Sequence, residues 1–237
     1  ENSSRSIFRW GDPNFFKYPK ESLYTLMKEK FQMTDDDFKA YSDDTGFDPV
    51  ELPDHPVQLA PEHIDALKAI VGEQNLSTTD YDRLSVAYGA TAYDLLRLRH
   101  KRIDSVPDVV LYPETSEQVE QIVAYSTEHH IPLYVYGGGS SVTRGVEPTK
   151  GGISLDMRRN FNKVISFNEI DQTITVQAGM SGPDLEKTLQ NAPELFGAKR
   201  QYTCGHFPQS FEYSSVGGWT VTRGAGQNST YYGTIAD

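Results

Sequence analysis

The spacing of apolar residues predicts that the first hundred residues form mainly helices. Apolar residues three or four positions apart mark the first helical face, at Leu23, Leu26, Met27 and Phe31. Further helices are predicted after Thr34, from Pro61, behind a cap at Thr79-Asp80, and over residues 92–98. We expect the leucines, methionines and aromatic residues of these helices to make core contacts, and we find no catalytic signature among them.

The segment before the first helix is irregular and rich in aromatic residues. Its aromatic residues are Phe8, Trp10, Phe15, Phe16 and Tyr18. Disordered tails are poor in aromatic residues. We therefore expect this segment to pack on a surface of the protein.

The pattern changes at Pro107, where short apolar runs of strand length begin. Residues 109–112 and 133–135 form two such runs, separated by a helix that carries Thr115 and Gln118 at capping-box spacing. The adjacent histidines at 129 and 130 suit the carbonyl end of that helix better than a metal site. Strand, helix and strand in this order predict a βαβ unit, in which ligands bind beyond the carboxyl ends of the strands.

Later residues predict antiparallel strands. Residues 153–157 have the composition of another strand, and residues 163–168 and 173–178 alternate apolar and polar positions as in a hairpin. Ser181 is placed to cap a further helix. The prediction is an α+β protein with two α/β subdomains after a mainly helical N-terminal region.

The most informative stretch directly follows the strand at 133–135 and reads Tyr136-Gly137-Gly138-Gly139-Ser140-Ser141-Val142-Thr143. Glycine lets backbone N–H groups approach an anion closely, and concave arrays of N–H groups bind phosphates. We predict a pyrophosphate-binding loop, with a flexible surface turn as the alternative. The stretch lacks the lysine of a P-loop and the third glycine of a nicotinamide-binding G-x-G-x-x-G, which disfavours both classes.

A second stretch, residues 205–219, also mixes small residues, hydroxyl groups and paired glycines, and residues 222–226 continue it. Such a composition is typical of a surface that a ligand or another backbone approaches closely. Two loops of this kind, far apart in sequence, favour a long ligand with an anionic middle.

Charge, cysteine count and the length of apolar runs limit the classes of partner and the location expected for this protein. The chain carries 22 Lys and Arg against 33 Asp and Glu, a net charge of −11, which disfavours nucleic acid as the main partner. The single cysteine cannot form an intrachain disulfide, which fits a reducing compartment such as the cytoplasm, or the peroxisome of a eukaryote. No apolar run is long enough for a transmembrane helix. The chain begins at Glu1, so residues upstream of it are expected.

Together these stretches resemble a known family. Residues 136–142 resemble the pyrophosphate loop of the FAD-linked oxidases of the vanillyl-alcohol oxidase/PCMH type. Residues 205–219 with Thr222-Arg223 resemble more narrowly the alkylglycerone-phosphate synthase (alkyl-dihydroxyacetonephosphate synthase) branch and its bacterial relatives. Arg9-Trp10-Gly11-Asp12 and Pro107-Asp108-Val109-Val110 fit that branch too. The resemblance covers residues 105 to the end and, more thinly, the helical region before them.

The resemblance implies a PCMH-type fold that binds FAD non-covalently between two α/β subdomains, with no metal. Residues 175–179 would form a supporting strand. The cofactor-binding residues that it implies are Val135, Tyr136, Gly137, Gly138, Gly139, Ser140, Ser141, Val142, Gln209, Ser210, Ser214, Ser215, Gly218, Thr222, Ala225 and Ile235.

The resemblance also implies a domain plan. Residues 1–104 would be a mainly helical region, and residues 105–237 the first part of an FAD-binding domain. The substrate domain and the catalytic residues are expected beyond Asp237, so residues 1–237 alone are expected to be inactive. The expected partners are FAD and a small-molecule or lipid-like substrate, with a homodimer as one possible assembly.

Three functions remain open. The first is that of an FAD-dependent enzyme of the alkylglycerone-phosphate synthase type, which exchanges an acyl chain for a fatty alcohol on dihydroxyacetone phosphate. The second is an FAD-linked oxidase or dehydrogenase of a 2-hydroxy acid or alcohol. The third is a non-catalytic nucleotide-binding module.

Four residues need separate interpretation. Val135 stands where many family members have proline, and Arg144 stands where most have a small residue. Arg144 either reaches a phosphate or points to solvent. We expect His206 to have a structural role rather than a catalytic one, and Cys204 to be a small buried hydrophobic residue rather than a nucleophile.

Overall fold

A computed structural model describes residues 2–7, 20–39 and 46–235. The aromatic residues at 8–18, the motif Arg9-Trp10-Gly11-Asp12 and Tyr41 lie outside the described residues. The α-helices in chain order are α1 (Ser4–Ile7), α2 (Glu21–Phe31), α3 (Asp35–Lys39), α4 (Pro61–Val71), α5 (Asp80–Ser85), α6 (Ala92–Arg99), α7 (Ser116–Glu128), α8 (Gly182–Gln190), α9 (Ala192–Phe196), α10 (Val216–Val221) and α11 (Ser229–Tyr232). The strands are β1 (Leu76–Ser77), β2 (Val109–Leu111), β3 (Leu133–Tyr136), β4 (Ile153–Asp156), β5 (Val164–Asn168) and β6 (Thr173–Val176).

Several helices begin at the N-cap residues that the sequence predicts. Thr79, Thr115 and Ser181 each accept a hydrogen bond from the third backbone N–H of the following helix. Pro61 occupies the first turn of α4, where its missing N–H costs nothing. The predicted helices at these positions are confirmed.

The first sheet has four strands in the order β1-β2-β4-β3. β4 pairs in parallel with β2 on one side and with β3 on the other, while β1 pairs antiparallel to β2. The βαβ unit of β2, α7 and β3 therefore leaves room for β4 between its strands. β1, which was not predicted, brings residues 76 and 77 of the N-terminal region into this sheet.

The main core lies between this sheet and the pair α4 and α7. Leu67 of α4 and Ile122 of α7 are fully buried against β2 and β4 side chains such as Val109 and Leu155. Full burial of one such aliphatic side chain stabilises the fold by about 1.5–3 kcal/mol. This packing fixes the sheet, and with it the loops at its carboxyl edge.

The second sheet is the predicted hairpin, in which β5 and β6 pair antiparallel. Its apolar side packs with α8 and α10 around Met180, Leu185, Leu189 and Trp219. α10 was not predicted, because the adjacent glycines at 217 and 218 have low helix propensity.

The expectation of core contacts is wrong for α2. The spacing of its apolar residues does form a helix, but Leu23, Leu26 and Phe31 are exposed and no residue of α2 is buried. Tyr24 of α2 stacks on Phe38 of α3 at a ring-centroid distance of 3.8 Å. The spacing of apolar residues thus predicted that α2 is a helix but not which surface it packs on.

Candidate functional site

The carboxyl edge of the first sheet borders a cavity of about 710 Å³. Three strands deliver residues to it: Tyr112 follows β2, Tyr136 ends β3, and Asp156 ends β4. Parallel strands place their carboxyl ends together, which is why residues distant in sequence meet here. This is the edge at which the sequence predicts a ligand.

The glycine loop, residues 136–142, borders the cavity through Tyr136, Gly138 and Gly139. Among the described residues, no acceptor takes a hydrogen bond from the backbone N–H groups of residues 138–142. Gly138 and Gly139 face the cavity, and Gly139 has a φ of +68°, a conformation that favours glycine. A run of unpaired N–H groups beside a cavity suits an anion such as a phosphate.

The serine segment, residues 210–219, lies directly against the glycine loop. A Cβ at Gly138 would fall well inside van der Waals contact of the Tyr213 carbonyl, and one at Gly137 would meet the Ser215 hydroxyl. The first two glycines of the loop are thus needed for the close approach of two backbones. The two glycine- and serine-rich stretches that the sequence singled out meet in the fold.

The hydroxyl groups of Ser214 and Ser215 form hydrogen bonds within the serine segment. Ser214 Oγ donates to the Ser210 carbonyl and accepts from Trp219 Nε1, each at 2.6 Å. Ser215 Oγ accepts from the Gly218 N–H at 3.3 Å and caps α10. Ser214 and Ser215 border the cavity while stabilising the segment that carries them.

Two arginines follow β4 and line the cavity. The Arg158 guanidinium lies 4.7 Å above the Tyr136 ring and bonds Asp156 through Nε at 3.0 Å and Nη2 at 2.6 Å. Arg159 lies 4.7 Å above the Tyr112 ring. Burial raises the pKa of Tyr136, and burial together with nearby carboxylates raises that of Tyr112 to about 12, so both phenols are neutral at pH 7.

The N-terminal region completes the cavity wall. Tyr88, Gly89 and Ala90 line it, and the Ala90 N–H donates to the Ser141 carbonyl at 2.9 Å. The end of the glycine loop is therefore attached to the residues that precede α6.

The predicted site residues divide into two groups. Those that line this cavity are Tyr136, Gly138, Gly139, Ser214 and Ser215. Those that do not line it are Val135, Gly137, Ser140, Ser141, Val142, Gln209, Ser210, Gly218, Thr222, Ala225 and Ile235. Within the second group, Val135 and Val142 are exposed, Thr222 Oγ1 donates to the Gly218 carbonyl, and Ile235 packs near Trp219.

The sequence reasoning missed the cavity residues that come from other elements: Tyr88, Gly89, Tyr112, Asp156, Arg158 and Arg159. A signal for the two arginines existed. They follow a strand of the same parallel sheet directly, and the end of such a strand belongs to the ligand-binding edge.

The Arg144 side chain is 51% exposed, in keeping with the predicted orientation towards solvent. Its guanidinium forms a fork on Glu147, with Nε and Nη2 at 2.7 and 2.9 Å from the carboxylate oxygens. A carboxylate three residues away offers a bidentate partner, and this pairing holds the side chain on the protein.

His206 is 5% exposed, and its ring packs against the Trp219 ring at a centroid distance of 5.1 Å. Burial lowers its pKa, so the imidazole is neutral at pH 7. Burial also raises the pKa of the Cys204 thiol to about 11, which keeps it protonated and a poor nucleophile. These placements favour packing roles for both residues.

Two kinds of feature are absent from the described residues. No group of three or more His, Cys, Asp or Glu side chains there could hold a metal ion. No helix there has the length and hydropathy needed to cross a membrane.

Comparison with known proteins identifies the class. Residues 107–237 match the FAD binding domain family. The chain is 30% identical over 230 residues to the alkyldihydroxyacetonephosphate synthase of Dictyostelium discoideum, covering 95% of this chain and 36% of that protein. It is 27% identical over 176 residues to the mitochondrial D-lactate dehydrogenase [cytochrome] 1 of Saccharomyces cerevisiae, covering 73% and 27%. A solved alkyldihydroxyacetonephosphate synthase matches with a TM-score of 0.71 at 33% identity, covering 77% of this chain and 36% of that one.

The chain belongs to the FAD binding domain family, and its cofactor is FAD. Within that family it is similar to the alkyldihydroxyacetonephosphate synthases, of whose length it covers about a third. The α+β class and the PCMH-type fold expected from the sequence are confirmed. The unpaired N–H groups of residues 138–142, beside a cavity with two arginines, fit a cofactor with a pyrophosphate.

Proposed function

We propose that the glycine loop binds the pyrophosphate of FAD and that the serine segment supports the loop by packing against Gly137 and Gly138. The observation that carries this proposal is the run of backbone N–H groups at residues 138–142, to which no described residue supplies an acceptor. Backbone donors bind a diphosphate without a net positive domain, which suits a chain of charge −11. The remaining predicted residues, from Val135 to Ile235, stay proposed cofactor contacts.

We further propose that the complete protein is an enzyme of the alkylglycerone-phosphate synthase type. It would replace the acyl chain of an acylated dihydroxyacetone phosphate with a fatty alcohol. Bound FAD supplies the reactive isoalloxazine ring, and residues 1–237 bind and orient it. The similarity to the Dictyostelium enzyme along 95% of this chain supports this choice.

A second candidate is an FAD-linked dehydrogenase of a 2-hydroxy acid. The similarity to the yeast D-lactate dehydrogenase supports it. The two candidates differ in electron flow, because a dehydrogenase needs an external acceptor and the synthase exchange does not.

The deciding experiment uses the complete protein, purified with its flavin. Acylated dihydroxyacetone phosphate and a fatty alcohol are supplied without an electron acceptor, and ether-linked product is measured by mass spectrometry. Product formation supports the synthase function. Its absence, together with reduction of a dye by D-lactate or glycolate, would replace that proposal with the second candidate.

The proposed function also implies a domain division, a substrate class, an assembly and a compartment. We propose a division near residue 105 between a mainly helical region and the FAD-binding domain, and a lipid-like substrate for the complete enzyme. A homodimer in the cytoplasm remains the working assignment. Sedimentation of the complete protein tests the oligomer.

A further inference from the structure

A cluster of charges with a buried centre lies beside the glycine loop and outside the cavity. Its members, which we call the Arg97 cluster, are Asp94, Arg97, Asp104, Arg144 and Glu147. Arg97 Nη2 donates to Asp94 at 2.7 Å and to Glu147 at 3.3 Å, while Nη1 donates to Asp104 at 2.8 Å and to Glu147 at 3.0 Å. The side chains of Arg97, Asp94 and Glu147 are 2%, 1% and 4% exposed.

Burying the charges of this cluster costs solvation free energy, so its presence calls for a role other than stability. Charges taken out of water lose solvation, and a buried ion pair is often no more stabilising than an apolar replacement. Two aromatic rings, of Tyr88 and Tyr93, pack on the Arg97 guanidinium at 4.3 and 5.0 Å and add cation–π contacts. What such a network supplies is a fixed geometry, since each carboxylate constrains the planar guanidinium.

The geometry that it fixes is the exit of the glycine loop. Arg144 comes two residues after the loop and has a φ of +65°, which is unfavourable for a residue with a side chain. Its fork on Glu147, and the hydrogen bond from the Glu147 N–H to its carbonyl at 3.1 Å, hold this turn. Glu147 is in turn held by Arg97 of α6.

The same stretch of chain holds the loop at a second point. The Ala90 N–H donates to the Ser141 carbonyl at 2.9 Å, and a Cβ at Gly89 would collide with that carbonyl. Thr91 then starts α6 with a capping box, and Arg97 lies two turns further along the helix. Residues 89–97 thus contact the loop at its end and just after it.

We propose that residues 89–97 hold the glycine loop in its anion-binding conformation, and that Arg97 is the positioning residue of this device. The inference rests on the proposed assignment of the loop to the FAD pyrophosphate. Without Arg97, Glu147 loses its buried partner and the turn at Arg144 loses its support. The loop then becomes ordered only when FAD binds, and affinity falls by the cost of that ordering.

The test is FAD affinity in the complete protein, measured by fluorescence titration of apoprotein, alongside urea unfolding. For Arg97→Gln we expect the Kd for FAD to rise about tenfold. The matched control is Arg83→Gln. Arg83 is also 2% exposed and donates to the carbonyls of Pro107 and His55, but it does not contact the loop. That variant should lose stability and keep a Kd within about twofold of the wild type.

Arg144→Gln gives a second measurement if Arg97→Gln does not fold. The Arg144 side chain is 51% exposed, so its removal leaves the core intact, and we expect the Kd to rise about threefold to tenfold. An unchanged Kd in both variants, or an equal rise in Arg83→Gln, would overturn the inference. The Gly138→Asp variant tests the assignment of the loop to FAD separately from the role of Arg97. If the Gly138→Asp variant bound FAD with a normal Kd, the assignment of the loop itself would be wrong.

Discussion

The glycine loop and the serine segment face each other at the cavity but use their polar groups in opposite ways. The loop leaves the N–H groups of residues 138–142 without acceptors among the described residues. In the serine segment, the hydroxyl groups of Ser214 and Ser215 are bonded to the Ser210 carbonyl, Trp219 Nε1 and the Gly218 N–H. Both stretches are rich in small polar residues, so composition alone does not distinguish a segment that offers donors from one that supports it.

The largest expected effect comes from a substitution where the two segments touch. Gly138→Asp places a Cβ against the Tyr213 carbonyl and adds a negative charge at the proposed pyrophosphate site. We expect FAD affinity to fall by about a hundredfold or more, since steric and charge effects combine. The ratio of flavin to protein absorbance in the purified complete protein measures it.

The matched control adds the same side chain nearby. Gly145→Asp lies where nothing is within 4 Å of an added Cβ, and we expect its flavin content to stay within about threefold of the wild type. Equal flavin loss in both variants would show that charge alone is responsible and that the close contact at Gly138 is unimportant.

The next effect probes the serine segment through stability. Ser214→Ala removes the acceptor of the buried Trp219 Nε1–H and the bond to the Ser210 carbonyl. Leaving a buried donor unpaired costs about 1–3 kcal/mol. Urea unfolding measures the loss, with Thr220→Ala on the exposed side of α10 as a control expected within about 0.5 kcal/mol of the wild type. Similar values for the two variants would contradict the supporting role of Ser214.

A smaller effect is expected at the cap of α10. Ser215→Ala removes the oxygen that accepts from the Gly218 N–H, which costs about 1 kcal/mol. Ser215→Gly should cost only a few tenths of a kcal/mol, because glycine is tolerated at this position. Thermal unfolding of the two variants side by side checks the order, and a reversed order would argue against a capping role.

The smallest expected effect is the pH dependence of stability that Glu147, next to the glycine loop, contributes. Burial alone would raise the pKa of Glu147, but hydrogen bonds from Arg144 and Arg97 outweigh it and hold that pKa below its ordinary value of 4.5. A carboxylate with a lowered pKa contributes stability that is present above pH 4.5 and is lost as the pH falls through the lowered value.

The measurement compares the free energy of unfolding between pH 6 and pH 3. The difference between wild type and Glu147→Gln should shrink towards acid, whereas the difference between wild type and Ser214→Ala should stay constant. Parallel curves for wild type and Glu147→Gln would show that this carboxylate does not couple the loop to pH.

Local signals in the sequence predicted the parts of the fold that depend on neighbours along the chain. Thr115 and Ser181 cap the predicted helices, and the strand before Gly137 ends at Tyr136, one residue later than predicted. The glycine loop was identified because three glycines after a strand require a specific reason.

Features that depend on distant partners could not be predicted in this way. The pairing of Arg97 with Glu147 joins residues fifty positions apart, and each alone resembles a solvated charge. α2 and α4 both carry apolar residues at helical spacing, yet no residue of α2 is buried, whereas Leu67 and Val71 of α4 are. The placement of β4 between β2 and β3, which brings Arg158 to the cavity, depends on a strand order that no local pattern specifies.

That strand order has a consequence for how the protein is made. β4 is the last strand of the first sheet to leave the ribosome, yet it is the strand that joins β2 to β3. Until Asp156 has emerged, β3 has no partner in this sheet, and the glycine loop at its end has no fixed base. A nascent chain therefore carries an unpaired β3 through the synthesis of some twenty residues.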